Sequence, residues 1–535
     1  MQIVIPLSGM GERFRAAGYT TPKPLLEVEG RTVIDHVVRL FPGADDFVFI
    51  VNRWHAEETE ILAILGRLVP HARVRVIEPH KRGPVHAVLE AADLIRDDEQ
   101  VIVNYCDFSA VWDYGHFARS VTESGVAGAI PAYRGFHPHS LGPTLYAYLR
   151  ESNGRILEVR EKQHFTTNRL MEYASSGTYY FASGRLMKLA FREQIARELH
   201  LRGEYYVSMS YNLLIEDGLP VSVYELEKFL QWGTPEDWEE YCGWSSYFAR
   251  HADWQPRQLF GGQVVVPMAG RGERFRAAGY TTSKPLIDVG GVPMVIRAAR
   301  SLPRAERAVF VARSEDLRDG ALAALLSASL PCEAIVVPVD YETAGQAATC
   351  LIACRALDPA LPLMIGPCDS AIVWEEDAFA ALVRDPSIDC IVFTFRGHPH
   401  AARHPESYGW IVPGRGSRID RVSIKTPVSA QPARDHGIVG AFWFRRTADF
   451  QCAADRMMAA EHRVNGEYYV DTCIAHALEA GLNVHFLDVT HYLCWGTPDD
   501  LRTYQYWEEY FASASHHPYE RTSASHIELP EAALV

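Results

Sequence analysis

The sequence lacks several features that mark common functional classes. Acidic residues outnumber basic ones by 67 to 52, and the net charge of −15 argues against a surface that binds nucleic acid. No apolar run approaches the ~20 residues that a membrane span requires. Residues 3–6 form only a short apolar run after Met1, without the basic region and longer apolar region of a signal peptide. We therefore expect a cytoplasmic protein without a nucleic-acid or membrane partner.

Cysteine pairing is also missing. The ten cysteines form no C-x-x-C pair, and most of them lie inside apolar runs. Cys350 and Cys354 are spaced i, i+4 on a predicted helix, but no histidine pair nearby completes a zinc site. Reduced, buried thiols are therefore favoured over disulfides or a zinc centre.

The chain does contain a long internal repeat. Residues 4–25 recur almost unchanged as residues 265–286, and later matches are displaced by 261 to 263 positions, from Lys23 and Lys284 to Lys162 and Lys425. A repeat of this length is far too long for a solenoid unit, so each copy should be a complete domain. We predict a first domain at residues 1–250, a linker at 251–262, a second domain at 263–513 and a polar C-terminal tail at 514–535.

Short apolar strands alternate with helical stretches inside each copy, which predicts an α/β fold with a mostly parallel mixed sheet flanked by helices. Such open sheets bind ligands beyond the carboxyl ends of their strands. In the first copy the predicted strands are 3–7, 46–51, 73–77 and 100–104, and the predicted helices are 33–40, 56–68 and 85–95. A closing helix is predicted at 238–248, and its counterpart in the second copy at 501–511.

A glycine-rich loop follows the first strand of each copy. Glycines at such a position let backbone N–H groups approach phosphate oxygens, and the arginine that follows adds charge-assisted hydrogen bonds. A simple glycine turn between strand and loop is the alternative reading. The candidate residues are Leu7, Ser8, Gly9, Gly11 and Arg13 in the first copy, and Met268, Ala269, Gly270, Gly272 and Arg274 in the second.

A lysine lies ten residues after each of these arginines. Lys23 stands in Pro-Lys-Pro-Leu and Lys284 in Ser-Lys-Pro-Leu, where the adjacent proline restricts the backbone. A cation held on a stiff segment after a phosphate-binding loop is suited to a polyphosphate ligand. The spacing therefore strengthens the phosphate reading of the loop.

An aspartate ends an apolar strand in each copy. Asp107 and Asp369 both follow a cysteine at the same point in the order of motifs. A carboxylate at the end of a buried strand is costly without a partner, so a metal ion is a good reason for its presence. Helix capping is the alternative, because aspartate is also a good cap.

Together these motifs resemble the signature of the sugar-1-phosphate nucleotidyltransferases (NDP-sugar pyrophosphorylases), in particular the branch linked to bacterial capsule synthesis. The resemblance extends over nearly all of both copies. It implies two tandem Rossmann-like, GT-A-type domains. It further implies Mg²⁺-dependent nucleotidyl transfer from a nucleoside triphosphate to a sugar 1-phosphate or similar small phosphate, with release of pyrophosphate, in surface polysaccharide synthesis.

The resemblance also implies roles for individual residues. In the family, the arginine and the first lysine contact the triphosphate, and the aspartate binds the metal ion. A glycine at the start of a turn contacts the base, and a second lysine binds the acceptor phosphate. A glycine in a strand and a glutamate contact the sugar. In the first copy these are Arg13, Lys23, Asp107, Gly83, Lys162, Gly177 and Glu204. In the second they are Arg274, Lys284, Asp369, Gly345, Lys425, Gly440 and Glu467.

The copies depart from the family pattern at three places. Many members carry a second metal-binding aspartate where this chain has Gln231 and Cys494, and the aligned acids Glu225 and Asp488 are the candidate replacements. The base turn of the first copy contains Pro84 and His86 in place of small or amide residues. In the second copy the acid that precedes the acceptor lysine is replaced by Ile424.

Two other functional readings stay open. One copy could be a degenerate half that regulates or supports a single catalytic half. Alternatively, the chain could be a glycosyltransferase of the related nucleotide-sugar fold, although those enzymes usually show Asp-x-Asp where this chain has Asp107-Phe108-Ser109. The identities of the base and of the acceptor are not fixed by the sequence.

Overall fold

The computed structural model describes residues 1–318 and 320–520, so residues 521–535 of the predicted tail lie outside it. The chain divides into two units, Met1–Cys242 and Gly243–Val535, called here the first half and the second half. One helix, Pro235–Arg250, crosses this division.

The first half alternates strands and helices from its first residues. Its strands are β1 Gln2–Leu7, β2 Glu27–Val28, β3 Arg31–Thr32, β4 Phe47–Asn52, β5 Arg73–Ile77, β6 Val101–Asn104, β7 Phe108–Val111, β8 Gly128–Tyr133, β9 Ala147–Ser152, β10 Arg155–Glu161, β11 Tyr173–Ser175, β12 Thr178–Phe181, β13 Val221–Glu225 and β14 Lys228–Gln231. Its helices are α1 Glu12–Ala16, α2 Val33–Arg39, α3 Arg53–Glu58, α4 Ile61–Leu68, α5 Pro84–Glu90, α6 Tyr114–Ser124, α7 Gly184–Ala196, α8 Val207–Glu216 and α9 Pro235–Arg250.

Ten strands of the first half form one mixed sheet in the order β11-β9-β10-β13-β8-β12-β6-β1-β4-β5. The block β6-β1-β4-β5 is parallel throughout, and β12 enters antiparallel between β6 and β8. Strands β1, β4 and β6 are almost wholly apolar because both faces of the sheet are covered. Strand β7, which follows β6 in the chain, pairs antiparallel with the distant strand β14 in a separate two-stranded sheet.

The second half repeats this plan. Its strands are β15 Gln263–Met268, β16 Asp288–Val289, β17 Val292–Pro293, β18 Arg307–Arg313, β19 Glu333–Val339, β20 Leu363–Ile365, β21 Ser370–Val373, β22 Cys390–Phe395, β23 Gly409–Pro413, β24 Ile419–Ile424, β25 His436–Phe444, β26 Val484–Asp488 and β27 His491–Cys494. Its helices are α10 Glu273–Ala277, α11 Met294–Arg300, α12 Ala321–Ser329, α13 Gln346–Cys354, α14 Glu376–Arg384, α15 Pro399–Arg403, α16 Thr447–Ala459, α17 Val470–Glu479 and α18 Pro498–Ser513.

The main sheet of the second half has the order β19-β18-β15-β20-β25-β22-β26, with β23 and β24 attached through β25. Strands β19, β18, β15 and β20 are parallel, and β25 is the antiparallel insertion. Apolar residues pack on both faces of this sheet. The predicted α/β class, with a mixed sheet flanked by helices in each half, is confirmed.

Two predicted helices are wrong in their extent. The helix predicted at 85–95 ends at Glu90 and is followed by a separate 3-10 turn, Ala92–Leu94. Residues 56–68 were expected to form a single helix, but α3 ends before Thr59, whose backbone is extended, and α4 begins at Ile61. The Thr59 hydroxyl donates to the carbonyl of His55 at 2.6 Å and accepts from the N–H of Ile61 at 3.3 Å. The threonine side chain therefore competes with the helical hydrogen bonds and separates the two helices.

Within residues 1–318 and 320–520, no helix combines the length and the apolar character needed to cross a membrane.

Candidate active site

A lysine–aspartate pair lies at the carboxyl end of the parallel strands in the first half. Lys23 Nζ lies 2.6 Å from Asp107 Oδ2 and 3.4 Å from the carbonyl oxygen of Gly233. The Lys23 side chain is 16% exposed and that of Asp107 is 33% exposed, so the pair is shielded but open to a ligand. Three motifs that are far apart in the sequence therefore meet at one point.

The second half contains the same arrangement. Lys284 Nζ lies 2.6 Å from Asp369 Oδ2 and 3.3 Å from the carbonyl oxygen of Gly496. Burial lowers the pKa of Lys284, but the charge of Asp369 and its hydrogen bond to the lysine act in the opposite direction, and the pKa is raised. The lysine is accordingly held as a cation.

The small antiparallel sheets explain why the motifs meet. In the first half β7 pairs with β14, and the N–H of Trp232 donates to the carbonyl of Asp107 at 2.9 Å. In the second half β21 pairs with β27, and Trp495 makes the same 2.9 Å bond to Asp369. This pairing brings each Trp-Gly segment beside the aspartate. The lysine of each pair is the first residue of a short 3-10 turn, Lys23–Leu25 or Lys284–Leu286.

The glycine-rich loops lie next to these pairs. Leu7 and Met268 end β1 and β15, and the loops lead through Gly11 and Gly272, both with φ of 63°, into α1 and α10. In the second half Gly270, Gly272 and Lys284 line one cleft of about 240 Å³. The predicted phosphate loop and the predicted phosphate lysine thus face the same space.

The arginine of each loop lies near the predicted acceptor lysine. Arg13 lines a cleft of about 230 Å³ together with Asp107, Lys162 and Gly177. In the second half the positive charge of Arg274 acts on Lys425. Ser8 lies at the loop entry, where its carbonyl accepts a 3.1 Å hydrogen bond from Asn52.

The acceptor lysines share an unusual backbone. Lys162 and Lys425 have φ of 55° and 59°, a left-handed conformation that is rare for side-chain-bearing residues and clusters at functional sites. Each lysine N–H donates at 3.0 Å to a tyrosine carbonyl, that of Tyr146 in the first half and that of Tyr408 in the second. The side chains then diverge, because Lys162 Nζ donates to the Tyr206 hydroxyl at 2.6 Å and Lys425 Nζ to the Ser407 carbonyl at 2.5 Å.

The base turn is joined to the Gly-Glu-Tyr-Tyr motif in both halves. Gly83 and Gly345 have φ of 88° and 123°, and a Cβ at either position would come within 2.7 Å of the backbone of Tyr205 or Tyr468. Tyr205 N–H donates to the carbonyl of Arg82 at 2.9 Å, with an equivalent 2.9 Å bond in the second half. Glycine is thus required here by the close approach of two chain segments, whatever the base may be.

The predicted sugar-side residues lie near the acceptor lysines. Glu204 accepts a hydrogen bond from the Tyr206 hydroxyl, which also accepts from Lys162. Burial and the charge of Glu467 raise the pKa of Tyr469 to about 12. Gly177 lies in the wall of the first cleft, and its counterpart Gly440 lies within β25. In the first half Gly177 and Lys162 therefore line one cleft, and Glu204 is linked to Lys162 through the Tyr206 hydroxyl.

The candidate second metal ligands, Glu225 and Asp488, form ion pairs and hydrogen bonds with other side chains. Glu225 forms an ion pair with Arg134 at 3.0 Å and accepts from the Tyr173 hydroxyl at 2.7 Å. Asp488 lies 3.2 Å from Arg396 and accepts from His436 and from Thr394 at 2.7 Å each. Metal binding by either acid would require the loss of these bonds.

Another pair of acids was missed by the sequence reasoning. Asp237 accepts hydrogen bonds from Gln231 and Thr234, and burial raises its pKa to about 6. In the second half Cys494 Sγ lies 3.6 Å from Asp500 Oδ2, which also accepts from Thr497. The residues that replace the expected second aspartate therefore each contact an aspartate six positions later, a spacing visible in the sequence.

The comparisons with known proteins agree with two related domains. The profile of the MobA-like NTP transferase domain matches residues 3–170 and again residues 264–436. Curated relatives include the "Bifunctional protein GlmU" of Nitrobacter hamburgensis, 26% identical over 226 residues, 42% of this chain and 47% of that protein. The protein of the same name from Alkalilimnicola ehrlichii is 28% identical over 230 residues, 42% of this chain and 45% of its own. The chain spans about half the length of these relatives.

Solved structures with a similar chain path include a nucleoside-diphosphate-sugar pyrophosphorylase from Vibrio cholerae RC9. It is 22% identical with a TM-score of 0.38, and the match covers 45% of this chain and 99% of that one. The inositol-1-phosphate CTP transferase from T. maritima is 16% identical with a TM-score of 0.38, over 49% of this chain and 100% of that one. Similarity at this level carries no conclusion about activity.

Proposed function

Because the chain belongs to the family of MobA-like NTP transferase domains, with a match in each half, we propose that both halves are catalytic nucleotidyltransferase domains. Each half would transfer a nucleotidyl group from a nucleoside triphosphate to a small phosphorylated acceptor, such as a sugar 1-phosphate. The enzyme class predicted from the motifs is that of the matched family. The observation that carries the proposal is the lysine–aspartate pair, which has the same 2.6 Å separation in both halves.

In the proposed reaction an acceptor phosphate oxygen attacks the α-phosphorus of the triphosphate. A new P–O bond forms, the bond between the α-phosphorus and its bridging oxygen breaks, and pyrophosphate leaves with the bond electrons. Such a displacement needs no protein nucleophile, so the protein supplies positioning and charge stabilisation. In the first half Arg13 and Lys23 would neutralise the triphosphate, and Lys162 would orient the acceptor phosphate.

The aspartates fit a magnesium ion. Mg²⁺ in phosphoryl-transfer sites is typically held by one or two carboxylates together with phosphate oxygens and waters. Asp107 and Asp369 each present a partly exposed carboxylate beside the proposed triphosphate loop. Among residues 1–318 and 320–520, no group of three or more His, Cys, Asp or Glu side chains is arranged to hold a metal ion by itself. When bound, the ion would screen the negative charge of the phosphates.

The biological role of this activity is inferred from the resemblance to the capsule-linked branch of the family. We propose that the products are activated building blocks for a bacterial surface polysaccharide, made in the cytoplasm. The base turns differ between the halves, with Pro84 and His86 in the first opposite Gln346 and Ala348 in the second. Two different substrate pairs are therefore expected.

A pyrophosphate-release screen tests the proposal. Four nucleoside triphosphates are combined with a panel of phosphate acceptors and assayed with the wild-type chain, Asp107→Asn and Asp369→Asn. Each variant is expected to lose one activity and keep the other. Full turnover in the double variant would contradict the metal role, and loss of all activity in one single variant would indicate a single catalytic half. Turnover that requires a nucleotide-sugar donor instead would favour a glycosyltransferase.

A further inference from the structure

The surroundings of the two acceptor lysines differ at three equivalent positions. In the first half β9 and β10 pair Ala147 with Glu161, and the second half pairs Gly409 with Ile424 at the same register. The second residue of the helix that packs on this strand is Ser208 in the first half and Asp471 in the second. The acid lost at position 424 is therefore matched by an acid gained at position 471.

The three positions are in physical contact within each half. In the first half the Ser208 hydroxyl donates to Glu161 Oε2 at 2.6 Å. In the second half the Asp471 carboxylate occupies the space where a Cβ of residue 409 would lie, with Asp471 Cγ 2.9 Å from that point. Glycine at 409 therefore makes room for the carboxylate of Asp471, and an alanine there, as at position 147, would crowd it.

The two carboxyl groups have similar electrostatic environments. Burial raises the pKa of Glu161 to about 7, while the Ser208 hydroxyl and the charge of Lys162 act in the opposite direction. Burial raises the pKa of Asp471 to about 6, and the charge of Lys425 opposes this rise. Burial lowers the pKa of Lys425, and among the groups that oppose this decrease the charge of Asp471 has the largest effect.

We propose that Asp471 replaces Glu161 as the buried carboxyl whose charge acts on the acceptor lysine of the second half, with Gly409 and Ile424 as the accompanying changes. This inference rests on the proposed function of the second half. Asp471 is a positioning residue, because it acts through Lys425 and not on the reacting atoms. The negative charge that is missing before Lys425 on the strand is then supplied from the helix by Asp471. The absence of an acid at position 424 is therefore not a sign that the second half has lost its activity.

The test uses the full chain with the first half silenced by Asp107→Asn, so that pyrophosphate release reports the second half. Asp471→Ser is expected to raise the acceptor KM about tenfold, equivalent to the loss of about one pK unit of interaction with the lysine, while the KM for the nucleoside triphosphate is unchanged. Glu479→Gln is the matched control, because this acid lies at the end of the same helix and pairs with His476 at 3.2 Å.

A rescue variant separates positioning from folding. The triple change Gly409→Ala, Ile424→Glu and Asp471→Ser rebuilds the first-half arrangement and is expected to restore the acceptor KM to within about threefold of the Asp107→Asn parent. An unchanged acceptor KM in Asp471→Ser, or equal losses for both substrates without rescue, would overturn the inference. Absence of any turnover in the Asp107→Asn parent would instead refute the proposed function of the second half, and the inference with it.

Discussion

The wall beside the acceptor lysine is hydroxyl-rich in the first half and aliphatic in the second. Ser175 and Ser176 precede Gly177 in the first half, whereas Ile438 and Val439 precede Gly440 in the second. The lysine–aspartate pairs, by contrast, keep their partners and their separations. The transfer of a nucleotidyl group needs fixed positive charge and a metal carboxylate whatever the acceptor is. The comparison therefore locates the expected difference in specificity at the acceptor wall.

The largest expected effect comes from the conserved pair. Lys23→Gln removes the cation that lies between Asp107 and the proposed triphosphate site. We expect kcat/KM of the first half to fall about 10²- to 10³-fold, as for the loss of one preorganised charge contact, while the second half is unaffected. Pyrophosphate release with each half's own substrates measures this. Lys188→Gln is the control, since Lys188 pairs with Asp97 at 2.7 Å away from the site.

The base turns should respond alike despite their different sequences. Gly83→Ala and Gly345→Ala place a Cβ against the backbone of a tyrosine in each half. We expect each change to raise the KM for the nucleoside triphosphate about tenfold in its own half, because the turn must move by several tenths of an ångström.

A matched glycine separates this clash from simple backbone strain. Gly218 also has a positive φ, of 74°, but a Cβ there meets nothing within 4 Å. Gly218→Ala should therefore lower the melting temperature less than Gly83→Ala. Equal shifts in both variants would show that the contact with Tyr205 contributes nothing beyond the strain of the backbone.

The acceptor wall should give a smaller effect that differs between substrates. Ser176→Val removes a hydroxyl that donates to the carbonyl of Pro131 at 2.8 Å and introduces the residue found at position 439. We expect a loss of about 1 kcal/mol or somewhat more in stability, from one buried hydrogen bond, and a several-fold change in the relative kcat/KM for different acceptors. Val439→Ser is the reciprocal variant. Uniform losses across the acceptor panel would remove the wall as a determinant of specificity.

The smallest expected effect is a difference in pH dependence. Burial raises the pKa of Glu161 to about 7 and that of Asp471 to about 6. Because each carboxyl becomes charged only above its pKa, acceptor binding should improve as the pH rises through about 7 in the first half and about 6 in the second. Acceptor KM values from about pH 5 to 8 in the two single-aspartate backgrounds measure this. In the first half, Glu161→Gln should abolish the change in acceptor KM at acidic pH. If that change persists in the variant, it arises from the titration of another group.

Much of the secondary structure could be predicted from the local sequence pattern. The strands before the glycine loop and before Asp107 are apolar, short and bounded by turn residues, so their positions were predicted to within a residue or two. The long helix at 56–68 was wrong because the side chain of Thr59 forms local hydrogen bonds that an apolar period does not reveal. The order of motifs also predicted that Lys23 and Asp107 belong to one site.

The second metal carboxylate shows where pattern fails. The alignment of the copies indicates Glu225 and Asp488, but each forms an ion pair with an arginine that directly follows a strand of the main sheet. The acids in contact with Gln231 and Cys494 are Asp237 and Asp500, which lie in the first turn of α9 and of α18. Alignment reports which residues recur, whereas side-chain contacts depend on the direction in which each element presents them.

The sequence by itself determined the repeat, the α/β class and the residues that both copies retain, because these follow from identity, hydrophobic period and turn chemistry. Only the tertiary structure decided how the differing residues compensate one another. Along the chain, Ile424 suggests that an acid has been lost. In the fold, Gly409 pairs with Ile424 across the strands, and α17 places the Asp471 carboxylate beside Gly409. Charge interacts through space, so a carboxyl can move 47 positions along the sequence, from the place of residue 424 to that of residue 471, and still act on the same lysine.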